Sequence, residues 1–274
     1  MAESLSILNW WDYLAIFLIT FVGLPHGAFD AAVGMSVGFY NDSKRKLFFL
    51  LSYSSLSLIV VLLWYFFSEL VLIIFLLASI FHFGLGEMKW ENKITYYLSG
   101  YFNGGIVILG ISFFHFSEVS QIYSALIGYN PTYLWSFLKV GAVLWCLLLP
   151  LHIIFNWSKF DKNYILCLLL TSFFIIFLPP LLGFSFYFCF IHSVNHIRRI
   201  VPALKTTQSR KNIFKMFLIF AILSWILGLI FFYLLIQVNS LTESLLYITF
   251  VGLAALTFPH MILIDIIFRP KLKI

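Results

Sequence analysis

Two histidines, His192 and His196, stand four residues apart in an otherwise apolar stretch, Tyr187-Phe-Cys-Phe-Ile-His192-Ser-Val-Asn-His196-Ile-Arg198-Arg199. In a helix, residues i and i+4 share one face a turn apart, and two imidazoles so placed can hold one metal ion. The same spacing also suits two histidines at a helix end, above arginines that mark a membrane surface. Three more histidines lie in apolar surroundings. His26 belongs to Gly23-Leu24-Pro25-His26-Gly27-Ala28-Phe29-Asp30, with Asp30 at i+4, where its carboxylate could orient the imidazole. His82 lies in Ser79-Ile-Phe-His82-Phe-Gly84, with Glu87 about 140° further round a helix and so off that face. His260 follows Pro259, and Asp265 falls on a different face. Each of these groups has a plainer alternative, a helix–helix hydrogen bond that only packs the protein.

The elements that must position these residues are apolar helices. The chain has 274 residues, 62% of them hydrophobic and only 10% charged, against about 25% charged in a soluble domain. Runs of about 20 apolar residues, each long enough to cross a bilayer, recur throughout. The expectation is one integral membrane domain over 1–274, all-α, a polytopic transmembrane helical bundle of about eight to nine spans. The spans fall near 13–40, 47–66, 70–88, 94–114, 134–155, 213–236 and 243–268. Residues 163–199 read as two short spans or a tight hairpin, because Pro179-Pro180 breaks a helix. Ser68-Glu69 reads as a turn and 115–133 as a mixed loop with His115 at the interface; His152, near a span end, reads as interfacial too.

Charge orients this bundle. With the N-terminus outside and the C-terminus cytoplasmic, all 17 Lys and Arg except Lys139 fall inside, while Glu3, Glu69, Glu118 and Glu243 fall in outer turns. The net charge of +6 is explained by orientation in a lipid bilayer and needs no nucleic acid; the localisation expected is the cell (inner) membrane. Cys146, Cys167 and Cys189 all sit in apolar runs without C-x-x-C pairing and read as small buried hydrophobes. Met-Ala-Glu-Ser-Leu lacks a basic n-region, so no cleavable signal peptide is expected. There is no internal repeat.

In that topology His26 lies halfway along the first span and His82, His192, His196 and His260 lie in the inner halves of theirs, within a slab roughly 15 Å thick. Five histidines from four helices at one depth are costly as scattered packing groups, and convergence on one metal accounts for them together. Imidazole suits iron, copper, zinc and nickel. A membrane di-iron desaturase needs more histidines, in doubled boxes that are absent. A zinc protease needs an acid beside its histidines, where Ser193, Val194 and Asn195 stand. A retinal-binding rhodopsin needs a lysine inside the last span, and 243–268 has none.

Gly-Leu-Pro-His26-Gly-Ala-Phe-Asp30, Phe-His82-Phe-Gly with Glu87, His192-Ser-Val-Asn-His196 with the arginines after it, and Pro-His260 together resemble the Brp/Blh family of bacterial and archaeal β-carotene 15,15′-dioxygenases. The resemblance runs from the first span to the last, and the Pro-His-Gly-Ala-x-Asp box is its most specific part. It implies an integral membrane enzyme that uses O2 to cleave the central double bond of β-carotene into two molecules of retinal. It implies Fe(II) held by His26, His82, His192 and His196, with His260 as a further ligand, an outer-sphere group or a polar group on the substrate side; Asp30 and Glu87 are further candidates beside the metal.

That chemistry suits a bilayer, because β-carotene dissolves in it and a tunnel could select the bond by position alone. Phe29, Phe81, Phe83, Tyr187, Phe188 and Phe190 are tunnel candidates through adjacency to the histidines, and ordinary helix packing explains them equally well. Two rivals come from other classes: a transporter or channel, for which the chain has few polar residues in its spans, and a rhodopsin-associated assembly protein with a structural metal site. Protein partners are not legible.

Overall fold

The computed structural model of the chain describes residues 8–86, 94–157, 160 and 162–269, and all regular structure among them is helical. Helices keep their backbone hydrogen bonds within one segment, which hydrocarbon demands. Glu3, Glu87 and the basic residues Lys89, Lys93, Lys159, Lys271 and Lys273 lie outside the described residues.

The first apolar run becomes one helical column of changing pitch. Helix α1 (Trp10–Leu18) begins where the Asp12 carboxylate accepts the Asn9 N–H at 2.8 Å. A π-turn (Ile19–Gly23), a 3-10 turn (Leu24–Phe29) and α2 (Asp30–Ser36) follow without a gap. Pro25 sits in the first turn of the 3-10 segment, and its missing N–H prevents the preceding helical hydrogen-bond pattern from continuing unchanged. The column ends before Gly38, whose φ of +95° lies in the left-handed region that glycine enters without strain.

Helix α3 (Ser43–Gly86) carries the second and third apolar runs and loses helical geometry at Phe67, with φ −139° and ψ 50°. The break thus falls one residue before the expected Ser68-Glu69 turn. Helix α4 (Ile94–Phe114) comes next. Residues 115–133, expected as a loop, instead contain α5 (Phe116–Ile127), which buries Val119, Ile122, Tyr123, Leu126 and Ile127. That spacing marks one face of a short helix, whose polar opposite face disguised it in sequence. Helix α6 (Thr132–Asn156) opens on Glu69: the buried carboxylate accepts the Leu134 N–H at 2.8 Å, one of the amides a helix start leaves without an internal acceptor.

Pro179-Pro180 does break the next apolar stretch. Helix α7 (Lys162–Phe177) ends before it and α8 (Pro180–Phe186) starts on Pro180, followed by a π-turn (Tyr187–His192) and α9 (Ser193–Leu204). Ser209 caps α10 (Arg210–Leu235) by accepting the Asn212 N–H. A capping box of Ser240 and Glu243 starts α11 (Leu241–Met261), and a last π-turn (Ile262–Phe268) continues it.

The chain divides into two compact units, one of Met1–Ile19 and Ser68–His192, the other of Thr20–Phe67 and Ser193–Ile274. Within the first, α4 packs on α6 and α7, and α1 packs on α8. Its closest approach runs through glycines: a Cβ on Gly84 would strike the Gly100 carbonyl, and one on Gly104 would strike that of Ile80. Small residues let helices meet this closely in lipid, and here they fix the stretch of α3 that carries His82. Within the second unit, α10 packs on the 3-10 turn, α2 and α11. Its core gathers Ala32, Val33, Phe49, Ile200, Leu204, Ile213, Leu263, Ile264 and Phe268.

Among the described residues six stretches are long and apolar enough to cross a membrane: Trp10–Ser36, Ser43–Gly86, Tyr96–Phe114, Thr132–Asn156, Arg210–Leu235 and Leu241–Phe268. The outward faces are apolar too. On α10 only Ile213 and Ala221 are buried, while Phe214, Leu218, Ile222 and Ile226 are exposed. Such a surface suits a multi-pass membrane protein whose solvent is lipid. It also corrects the reading of the cysteines: Cys189 is buried, but Cys146 is exposed and Cys167 partly so, because an apolar run in lipid need not face inward.

Candidate metal centre

Irregular helix geometry marks the histidine sites. His26 lies within the 3-10 turn, His192 ends a π-turn, and His260 is two residues before another. Departures of this kind shift which side chains share a face, and π-turns recur at functional sites. His82 and His196 sit on α3 and α9. All five imidazoles are buried, none more than 8% exposed.

The second unit assembles three of them. Ring centroids lie 5.1 Å apart for His26 and His196, 5.2 Å for His26 and His260, and 5.0 Å for His196 and His260. Oxygen atoms fix two of the rings. His26 Nδ1 lies 2.6 Å from the Gly23 carbonyl and 3.2 Å from Ser193 Oγ. A carbonyl only accepts, so Nδ1 carries the proton and Nε2 the lone pair. His260 Nδ1 lies 2.8 and 3.0 Å from the two carboxylate oxygens of Asp30, which fixes the same tautomer.

This placement corrects the reading of Asp30 as the orienting acid of His26. Four residues on a straight α-helix return to the same face, but residues 24–29 wind at 3-10 pitch, roughly three residues per turn. Asp30 is thereby turned to His260, 230 positions away in sequence. Its other partner, Tyr53 on α3, donates its hydroxyl to Oδ2 at 2.8 Å. Neither Tyr53 nor Ser193 stood out in the sequence, since nothing in local spacing links α3 or the start of α9 to these groups.

The first unit assembles the other two histidines. His82 and His192 have ring centroids 5.0 Å apart. Their surroundings are aromatic: Phe83 meets His192 edge-on at 4.8 Å, Phe188 lies nearly parallel to it at 6.1 Å, and Tyr187 is 6.3 Å away. Gly86 gives His192 room, since a Cβ there would come within 3.4 Å of the imidazole. Of the tunnel candidates, Phe83, Tyr187 and Phe188 therefore gather on His192. Phe81 packs on Tyr101, Phe29 on Phe217, and Phe190 is half exposed beside Phe186. Glu87 lies outside the described residues. His152 belongs to a separate cluster, stacked 4.2 Å from Phe102 beside Asn156 and Tyr164, and His115 binds the Ile175 carbonyl at 2.8 Å.

Imidazole on a first-row metal has a metal–nitrogen distance of about 2.1 Å, so two adjacent ligands bring their ring centroids to roughly 4.6–5.3 Å. The trio and the pair each meet that spacing, and buried imidazoles, one of them backed by the Asp30 carboxylate, are a donor type iron takes. Among the described residues no group of three or more His, Cys, Asp or Glu is arranged to hold an ion. The ring spacing and the tautomers are what the donor set contributes.

Bilayer-length helices carrying buried, mutually packed histidines define a class, the integral membrane proteins with candidate metal-binding imidazoles inside their helices. Comparison with known proteins narrows it. The profile of the family described as Beta-carotene 15,15'-dioxygenase matches residues 17–268, and the chain belongs to that family. A protein of the uncultured marine bacterium 66A03 named Beta-carotene 15,15'-dioxygenase is 34% identical over 267 residues, covering 94% of each chain. No solved structure matches.

Proposed function

We propose that the chain cleaves β-carotene with O2 at the central 15,15′ double bond, breaking one C=C and forming the two C=O groups of two all-trans-retinal molecules. Family membership along nearly the whole chain supports the reaction. The observation in the fold that carries it is that five buried histidines on bilayer-length helices meet ring to ring, a trio in one unit and a pair in the other, instead of scattering.

The cofactor is Fe(II), and His26, His82, His192 and His196 are its ligands, with His260, Asp30 and Glu87 as a further ligand or outer-sphere groups. Bound Fe(II) would supply the redox chemistry that brings O2 to the polyene. The residues themselves do the positioning. Gly23 and Ser193 hold the His26 ring by its Nδ1–H, and Asp30 holds His260. Phe83, Tyr187 and Phe188 present aromatic faces around His192, a surface suited to a hydrocarbon substrate that arrives through the bilayer core and one that keeps water out. The topology has eight to nine crossings of the inner membrane, N-terminus outside; the break at Phe67 and Pro179-Pro180 support the extra spans.

The test is expression in bacteria engineered to accumulate β-carotene, with retinal and residual β-carotene quantified by chromatography. Retinal as the sole aldehyde is expected. Unbleached cells, with the protein verified in the membrane and iron supplied, would remove the β-carotene assignment.

A further inference from the structure

Asp30 joins two side chains from different helices of the second unit. On one side it faces His260 Nδ1 of α11 at 2.8 and 3.0 Å. On the other it accepts the Tyr53 hydroxyl of α3 at 2.8 Å. Tyr53 Oη also lies 3.4 Å from the carbonyl of Leu256, one turn before His260 on α11. The carboxylate is 3% exposed. Burying an acid among apolar helices is costly unless hydrogen bonds and opposite charge offset it. Tyr53 and His260 both donate to it, and both donations run in one direction, toward the acid.

That direction has a consequence for His260. With Nδ1–H committed to Asp30, a neutral ring carries its lone pair on Nε2, the nitrogen a metal would take, and the ring meets His26 at 5.2 Å and His196 at 5.0 Å, the separation expected of ligands on one ion. A cation at Nε2 would be balanced by the Asp30 charge through the imidazole. We propose that His260 is a metal ligand together with His26 and His196, and that Tyr53, through Asp30, is the positioning residue that sets its tautomer and ring orientation. The inference rests on the iron reading above; it chooses one of the three roles the resemblance left open for His260 and adds Tyr53, which neither motif nor spacing singled out.

The experiment uses the purified full chain in detergent, with Co(II) as the probe, titrated and followed by its visible absorption bands. Tyr53→Phe removes one oxygen atom and keeps the ring. It is expected to retain helical circular dichroism, to weaken Co(II) binding about tenfold, and to shift the bands. His260→Asn keeps an N–H donor for Asp30 but no ring nitrogen, and is expected to lose about 100-fold or more in affinity. Wild-type bands with both variants superimposable on wild type would overturn this inference and leave the iron reading standing. A wild-type chain that takes up neither Co(II) nor Fe(II) would overturn both.

Discussion

The two histidine groups are built by different means. In the first unit, His82 and His192 are wedged by aromatic rings and by the room that Gly86 leaves, on an α3 stretch locked to α4 through Gly84, Gly100 and Gly104. In the second, His26 and His260 are held by directed hydrogen bonds to a carbonyl, a hydroxyl and a carboxylate that tyrosine braces in turn. Ring contacts set where an imidazole lies. Hydrogen bonds to pure acceptors also set its tautomer. They do so for His26 and His260 in the second unit, while in the first unit aromatic contacts place the ring of His192.

The comparison breaks most completely at the histidines themselves. His196→Ala in the trio or His192→Ala in the pair should each abolish both iron binding and retinal formation. Full activity in either variant would show that its group has no part in the chemistry. Next in size, Phe83→Ala should act through packing. Phe83 is 4% exposed and touches His192, Tyr187 and Phe188, and truncating a buried phenylalanine costs about 3–5 kcal/mol. A lower unfolding midpoint in detergent is expected, with iron restored to wild-type stoichiometry in the fraction that stays folded. A variant of undiminished stability would mean that the aromatic wedge does not hold the pair.

Much of this architecture was legible in the sequence, and the limits have physical reasons. Hydropathy located the apolar helices, and the five histidines stood out because imidazole is costly in an apolar helix. The interruption at Pro179-Pro180 followed from proline's missing N–H. Three features escaped. Helix α5 is short and half polar, so its period competed with its composition. Asp30 was matched to His26 by α-helical spacing, whereas the chain winds through a π-turn and a 3-10 turn just there. Tyr53 reaches Asp30 across 23 positions and from another helix, a relation that only tertiary packing creates.

Asp30→Asn sharpens the contrast from the other side. It keeps an oxygen for Tyr53 and for His260 Nδ1 but removes the charge. Iron affinity should fall about 10–100-fold while the unfolding midpoint moves little, the reverse of the Phe83→Ala pattern. An unchanged iron titration would return Asp30 to a packing role and remove the distinction between the two units.

The smallest effect is expected at Ser193. Its hydroxyl is 3.2 Å from His26 Nδ1 and 3.4 Å from the Gly23 carbonyl, both longer than the 2.6 Å between Nδ1 and that carbonyl. The carbonyl is thus the principal acceptor, and the hydroxyl adds to a bond already made. Removing one such neutral hydrogen bond costs about 1 kcal/mol, so Ser193→Ala should weaken iron binding about fivefold with His26 keeping its tautomer. A loss as large as that of Asp30→Asn would make the hydroxyl, not the backbone, the group that orients His26. The trio would then depend on side chains at both of its fixed rings, where the present geometry gives one ring to the backbone and the other to an acid.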